Sequence, residues 1–139
     1  KFSMLDRAAA DRLLGMCDRH GVTFQAYSPL ERGVLTGKIT SPEQVTMGRA
    51  RSSLAWFKPE NLPKIADLSA KWAPLCAKYG CSMTQLVIGW TAAQGNGHNV
   101  NVLCGARKLH QIEDNAGGGD VVLDMADMAA MRRDVEALG

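Results

Sequence analysis

Two short stretches of the 139-residue chain set glycine beside base: Arg32, Gly33, Gly37 and Lys38 in the first, Gly105, Arg107 and Lys108 in the second. Glycine lets a backbone approach a ligand closely, the unpaired N–H groups at the start of a helix attract an anion, and a guanidinium fork matches phosphate oxygens. Together they point to a phosphate-bearing ligand. For either loop alone, ordinary turn chemistry and solvated charge are the plain alternatives. Tyr27 stands just ahead of the first stretch, where its ring suits a half-buried core position or a flat ligand. No metal chemistry competes: Cys17, Cys76, Cys81 and Cys104 contain no CxxC pair, and His20, His98 and His110 stand apart. The four thiols are read as reduced and mostly buried.

The elements that must position these loops are read from periodicity. Apolar residues at Ala9, Leu13 and Cys17, with Ala10 and Leu14 beside them, predict a helix from Asp6 to His20, capped by Asp6 and stopped by Gly21. Val22 to Tyr27 lacks polar alternation and reads as a strand covered on both faces. Ile39 to Asn61 carries no period and contains Pro42, Gly48 and Pro59, which suits a long functional loop. Ile65, Leu68, Trp72, Leu75, Cys76 and Tyr79 then recur at helical spacing, with Pro74 predicting a kink or an earlier end. Ser82 to Gln85 has the form of a capping box and starts a helix at about Met83 that stops near Gly95. Asn99 to Cys104 is a second short strand, followed by helix from about Lys108. Gly117 to Gly119 is read as a hinge or loop, and Asp124 caps a last helix with Met128, Met131, Val135 and Leu138 on its apolar face. Strands alternating with helices define an α/β protein, and ligands bind such proteins at the C-terminal ends of the strands.

The length suits about one ordinary domain, and an apolar content of 46% supports a packed core. A net charge of +2, with its bases scattered, argues against nucleic acid or a membrane surface as partner. No apolar run reaches the ~18 residues of a membrane span, and no signal peptide is recognisable, so a cytoplasmic protein is expected.

Four strings in a fixed order, AYSPLERGVLTGK (26–38), AWFKPENL preceded by Arg51, YGCSMTQLVIGW (79–90) and GARKLHQIEDNAGG (105–118), resemble the C-terminal half of the aldo-keto reductases. The wording is most similar to the branch of general-stress-type reductases and potassium-channel β subunits. The resemblance implies a (β/α)8 TIM barrel that binds NADP(H) without a Rossmann domain and exchanges hydride with an aldehyde or ketone carbonyl. This chain would supply strands six to eight, ending at Met4, Tyr27 and Cys104, and residues 1–139 would be the C-terminal part of one barrel domain. Tyr27 would stack on nicotinamide. Ser28, Pro29, Leu30 and Gly33 would wrap the pyrophosphate, with Lys38 touching it and Arg51 in the overlying loop. Gly105, Ala106 and Arg107 would form the second cofactor loop, with Arg107 on the adenosine 2′-phosphate. Gln111, Asp114 and Asn115 would contact adenosine, Asp114 standing where the family more often has Glu.

The family's catalytic Asp, Tyr, Lys and His lie in the first half of its barrel, so no catalytic residue and no metal ligand is assigned here. Tyr79 sits at a helix end and is no proton donor. The resemblance therefore predicts a gene product of roughly 300 residues, with this portion inactive alone and partnered by the N-terminal half of the barrel. It implies a small carbonyl or alcohol substrate, leaves homo-oligomers open, and offers Trp56 and Phe57 as pocket-lining residues or core anchors. The alternative of another class is a non-catalytic NADP(H)-binding regulatory subunit of the same fold.

Overall fold

The computed structural model describes residues 1–45, 54–95 and 99–139. Helix α1 spans Ala8–His20 and ends where Gly21 takes φ 61°. It begins later than the sequence implies, because Asp6 is committed elsewhere. The Asp6 and Ser3 backbones bond each other at 3.1 and 3.3 Å, and the Asp6 carboxylate lies 3.1 Å from Lys1 Nζ. Arg7 is left as N-cap, and its side chain makes no capping bond.

Strand β1 (Phe24–Tyr27) pairs in parallel with β2 (Val100–Leu103), Phe24 opposite Val100 and Tyr27 opposite Leu103. Both strands are shorter than expected, and the expectation of two covered faces is corrected. Ala26 is buried and Phe24, Val100 and Val102 half-buried on one face, while Gln25, Tyr27, Asn101 and Leu103 are exposed on the other. The cause is the layer arrangement: among the described residues helices pack on only one side of the sheet. Phe2 lies beside the end of β1, its N–H donating to the Tyr27 carbonyl at 3.2 Å.

Among the described residues, two α-helices run between the strands. Helix α2 (Leu62–Tyr79) continues through Pro74, so the helix does not end early. Pro74 is on the exposed face, where the carbonyl it leaves unbonded can meet water, while Leu62, Ile65, Leu68 and Trp72 are buried opposite. Helix α3 (Met83–Ala92) starts with the anticipated capping box, Gln85 N–H donating to Ser82 Oγ at 3.1 Å and Ser82 N–H to Gln85 Oε1 at 3.0 Å. It is apolar almost all round, as a central helix must be, and buries Leu86, Val87, Ile88 and Trp90 against α2, β2 and the helices that follow.

Helix α4 (Leu109–Gly117) runs into a 3-10 turn, Gly118–Asp120, and α5 (Met125–Glu136) closes the chain, with Asp124 accepting from the Asp127 N–H at 2.8 Å. Met131 and Val135 are buried on the predicted face. The glycine run is no hinge. Gly118 is buried so close to α3 that a Cβ there would lie 2.6 Å from Ile88 Cγ2, and the missing side chains are what let the two elements touch. Phe2, Met4, Leu62, Ile65, Leu86, Trp90 and Met131 form the centre of the core.

Candidate cofactor-binding site

Parallel pairing in this register sets the C-terminal ends of β1 and β2 side by side, so the two glycine–base loops leave the sheet at one edge. Tyr27 is the last residue of β1 and is 54% exposed, its side chain on the uncovered face with Leu103. Within residues 1–139 the ring takes no part in the core.

The chain then turns through left-handed backbone at residues other than glycine: Ser28 (φ 61°), Glu31 (φ 45°) and Arg32 (φ 55°), followed by Gly33 (φ 101°). L-residues adopt this region at a cost of about 1–2 kcal/mol each, so tertiary contacts must hold them there. Glu31 supplies the contacts. It is 3% exposed, accepts the Ser3 hydroxyl at 2.5 Å and pairs with Lys1 Nζ at 3.0 Å. Ser3 Oγ in turn accepts the Leu5 and Asp6 N–H groups at 3.2 and 3.1 Å. Pro29 is buried beneath the turn, Ser28 and Leu30 half-buried. Its far end closes through Gly33 N–H to Leu30 carbonyl at 2.8 Å and Thr36 hydroxyl to Gly33 carbonyl at 2.7 Å, which delivers Lys38 to the surface.

The second loop is shaped by the helix that follows it. Gln111 Oε1 accepts the N–H groups of Arg107 and Lys108 at 2.8 and 3.2 Å, fixing the start of α4. Asn115 donates to the Gly105 carbonyl at 3.4 Å. Gly105, Ala106 and Arg107 are all exposed, and space for a side chain is open at Gly105. The Arg107 guanidinium is thus presented to solvent on a backbone held by its own helix. On the covered side of β2 an open cavity of about 450 Å³ runs between α3 and α4, lined by Ile88, Val102, Ala106, Ile112 and Asn115.

An ion pair links the end of the first loop to the helix that follows the second: Lys38 Nζ lies 3.8 Å from Asp114 Oδ2 of α4. Asp114 Oδ1 also accepts the Ser82 hydroxyl at 2.6 Å, so the α3 cap holds the carboxylate in place. Tyr27, Ser28, Pro29, Leu30, Gly33 and Lys38 are brought to one edge with Gly105, Ala106, Arg107, Gln111, Asp114 and Asn115. Arg51 lies outside the described residues. Two participants are not anticipated by motif reading. Ser82 announces itself only as a cap, and the Ser3–Glu31–Lys1 cluster joins residues 28 positions apart with no local signal.

Phe57 is 5% exposed and anchors the core. Tyr79 is engaged at the end of α2 by Asp127 (2.6 Å), away from the sheet edge. The four cysteines are unpaired but each only half-buried, a correction to the buried thiols expected from their number. No group of metal-ligating side chains occurs among the described residues, and no described helix is long and apolar enough to cross a membrane.

The fold and this edge define an α/β protein with parallel strands and a candidate site at their C-terminal ends. The chain belongs to the aldo/keto reductase family, whose family model matches residues 1–135. It is 39% identical over 138 residues to the NADH-specific methylglyoxal reductase of Escherichia coli (strain K12), covering 99% of this chain and 41% of that protein. An aldo-keto reductase of Strobilurus tenacellus is 34% identical over 113 residues, 81% of this chain and 33% of that one. An NADP(+) aldo-keto reductase of Schizosaccharomyces pombe is 28% identical over 116 residues, 84% of this chain and 34% of the relative. Among solved structures, the glycerol dehydrogenase of Gluconobacter oxydans superimposes with a TM-score of 0.79 at 25% identity, covering 96% of this chain and 40% of that one. The chain therefore spans about two fifths of the length of the first of these relatives and of the solved structure.

Proposed function

We propose that this chain is the cofactor-binding portion of an oxidoreductase that exchanges hydride between NADP(H) and a small aldehyde or ketone, and that it supplies strands six to eight of a (β/α)8 barrel. The observation that carries the reading is the Lys38–Asp114 pair, which ties the first loop to the helix after the second, beside an exposed Tyr27. The residues fit the nucleotide. Tyr27 offers an unencumbered ring face, the left-handed turn at Ser28 to Gly33 is held open from below, and Arg107 points a planar fork at solvent. The nicotinamide ring, when bound, supplies or accepts the hydride. Lys38 is well placed to exchange partners: its pair is long, its side chain 65% exposed, and such surface pairs contribute about 0–1 kcal/mol, so a doubly charged pyrophosphate displaces Asp114 readily.

The 2′-phosphate is assigned to Arg107. Among the relatives, one is named as NADH-specific and another as using NADP(+), so the choice of nucleotide is what the experiment must decide. Fluorescence titration of the whole protein with NADPH and NADH, before and after Arg107→Ala, does so. A charge-assisted pair is worth about 1.5–3 kcal/mol, so NADPH affinity is expected to fall about 10- to 150-fold while NADH affinity changes less than about threefold. Equal losses for both nucleotides would reject the assignment, and tight NADH binding with no NADPH binding in the parent protein would reject NADP(H) itself.

A further inference from the structure

Where α2 gives way to α3 the chain makes a tight closure. Gly80 takes φ 60°, and the Cys81 N–H donates to the Cys76 carbonyl at 3.0 Å. This six-residue closure brings the side chains of its first and last residues against one another, usually as an apolar contact. Here both are thiols, and burial raises the pKa of each. Both are half-buried and neither belongs to the cofactor edge. Cys81 also lines an open cavity of about 380 Å³ with Gln85, Gly117 and Val122, which leaves its sulfur approachable by a small molecule. Disulfides require two Cβ atoms brought close by the backbone, and the 3.0 Å bond from Cys81 N–H to the Cys76 carbonyl draws these two residues together.

We propose that Cys76 and Cys81 are a dithiol modification site, converted reversibly to an intramolecular disulfide by a small organic disulfide. The Cys81 thiolate attacks one sulfur of the reagent, forming a mixed disulfide and releasing one thiolate. Cys76 then attacks the Cys81 sulfur, closing the protein disulfide and releasing the second. Two protein S–H protons end on the two departing thiols, the protein is oxidised by two electrons, and the reagent is reduced by two. Cys81 is the attacking residue because it lines the open cavity where Cys76 does not, and Cys76 resolves. Burial raises both thiols above the ordinary range, so thiolate is scarce at neutral pH and the rate climbs as pH rises.

The test uses glutathione redox buffers on the protein carrying Cys17→Ser and Cys104→Ser, so that Cys76 and Cys81 are the only cysteines of residues 1–139. Trypsin cleaves after Lys78 and separates the two, so a non-reduced digest reports their linkage directly as peptide 72–78 joined to 79–107. The expected result is loss of both thiols, that linked pair, and full recovery on adding reduced glutathione. Adding Cys76→Ser should trap a stable glutathione adduct on Cys81, whereas Cys81→Ser should leave Cys76 largely unmodified. Absence of the linked pair at every buffer ratio, linkage between rather than within molecules, or equal adduct on the two single-cysteine variants would each overturn the proposal.

Discussion

Glu31 shows how one residue governs the shape of the candidate site. Its carboxylate is buried beside the Ser3 hydroxyl and Lys1, and the backbone on either side of it, at Ser28 and Arg32, is left-handed. Nothing local in the sequence favours that conformation, since only Gly33 has the freedom for it. Ser28, Glu31 and Arg32 are overruled by contacts made far along the chain, which is why motif reading finds the glycine and misses the carboxylate. Tyr27 could be placed without such contacts, because a strand's end and its aromatic residue are both visible locally. Ser3→Ala removes a hydrogen bond to a charged group and the acceptor for two N–H groups, so a stability loss of about 1.5–3 kcal/mol is expected. A urea titration checks it, as a lower midpoint at unchanged slope. Glu31→Gln, which keeps an acceptor for Ser3 and gives up only the charge facing Lys1, should lose less, and a larger loss for it than for Ser3→Ala would contradict this ordering.

At the scale of elements, what could be read in advance was what is encoded within three or four residues. The Ser82–Gln85 box, the Asp124 cap and the left-handed stop at Gly21 all appear as anticipated. The departures share a cause in tertiary packing. Pro74 is tolerated because its face is solvated while Trp72 and Leu68 bury the other side of α2. Gly117 to Gly119 reads as a flexible run by composition, yet Gly118 is a close-approach point for α3. Its φ of −66° is ordinary, so replacement tests space alone. Gly118→Ala would push a methyl into Ile88, a forced overlap that costs about 1–3 kcal/mol, whereas at Gly119 nothing lies within 4 Å of an added Cβ. Thermal unfolding of the two variants should therefore separate them, with a lower Tm for Gly118→Ala and a nearly unchanged one for Gly119→Ala. Similar Tm values would mean that the seam between α3 and the 3-10 turn is looser than it stands.

Across the whole molecule, helix α5 ties distant parts of the chain together through polar contacts as well as through Met131 and Val135. Arg7 reaches Glu136 at 3.1 Å, joining residues 129 positions apart. Lys71 and the Trp72 indole N–H hold Asp134 at 2.5 and 2.9 Å, and Lys78 holds both Asp124 and Asp127 at 2.6 Å, with the Tyr79 hydroxyl donating to Asp127. These partners are separated by 46 to 63 positions, and no local pattern announces them. They make the docking of α5 on α2 dependent on acid. The Lys78 ammonium, with the Asp127 N–H, draws Asp124 down to about 2, and Asp127 is lowered by Lys78 and Tyr79. Burial works against the charge of Asp134, but Lys71 and Trp72 outweigh it and leave that group lowered as well. A carboxyl whose pKa is depressed by folding adds stability that is complete above its unfolded value, about 3.9, and is lost as pH falls through the folded one. The stability these pairs give the docking of α5 should therefore begin to fall below about pH 4 and still be falling as pH passes about 2, with Trp72 fluorescence changing as Asp134 takes its proton. Carboxyl carbon NMR of Asp124 gives the residue-level check. In Lys78→Ala its midpoint should rise toward the ordinary range while staying below it, because the Asp127 N–H bond remains. A midpoint still near 2 in that variant would show that the cap alone holds the charge and that Lys78 contributes nothing to it.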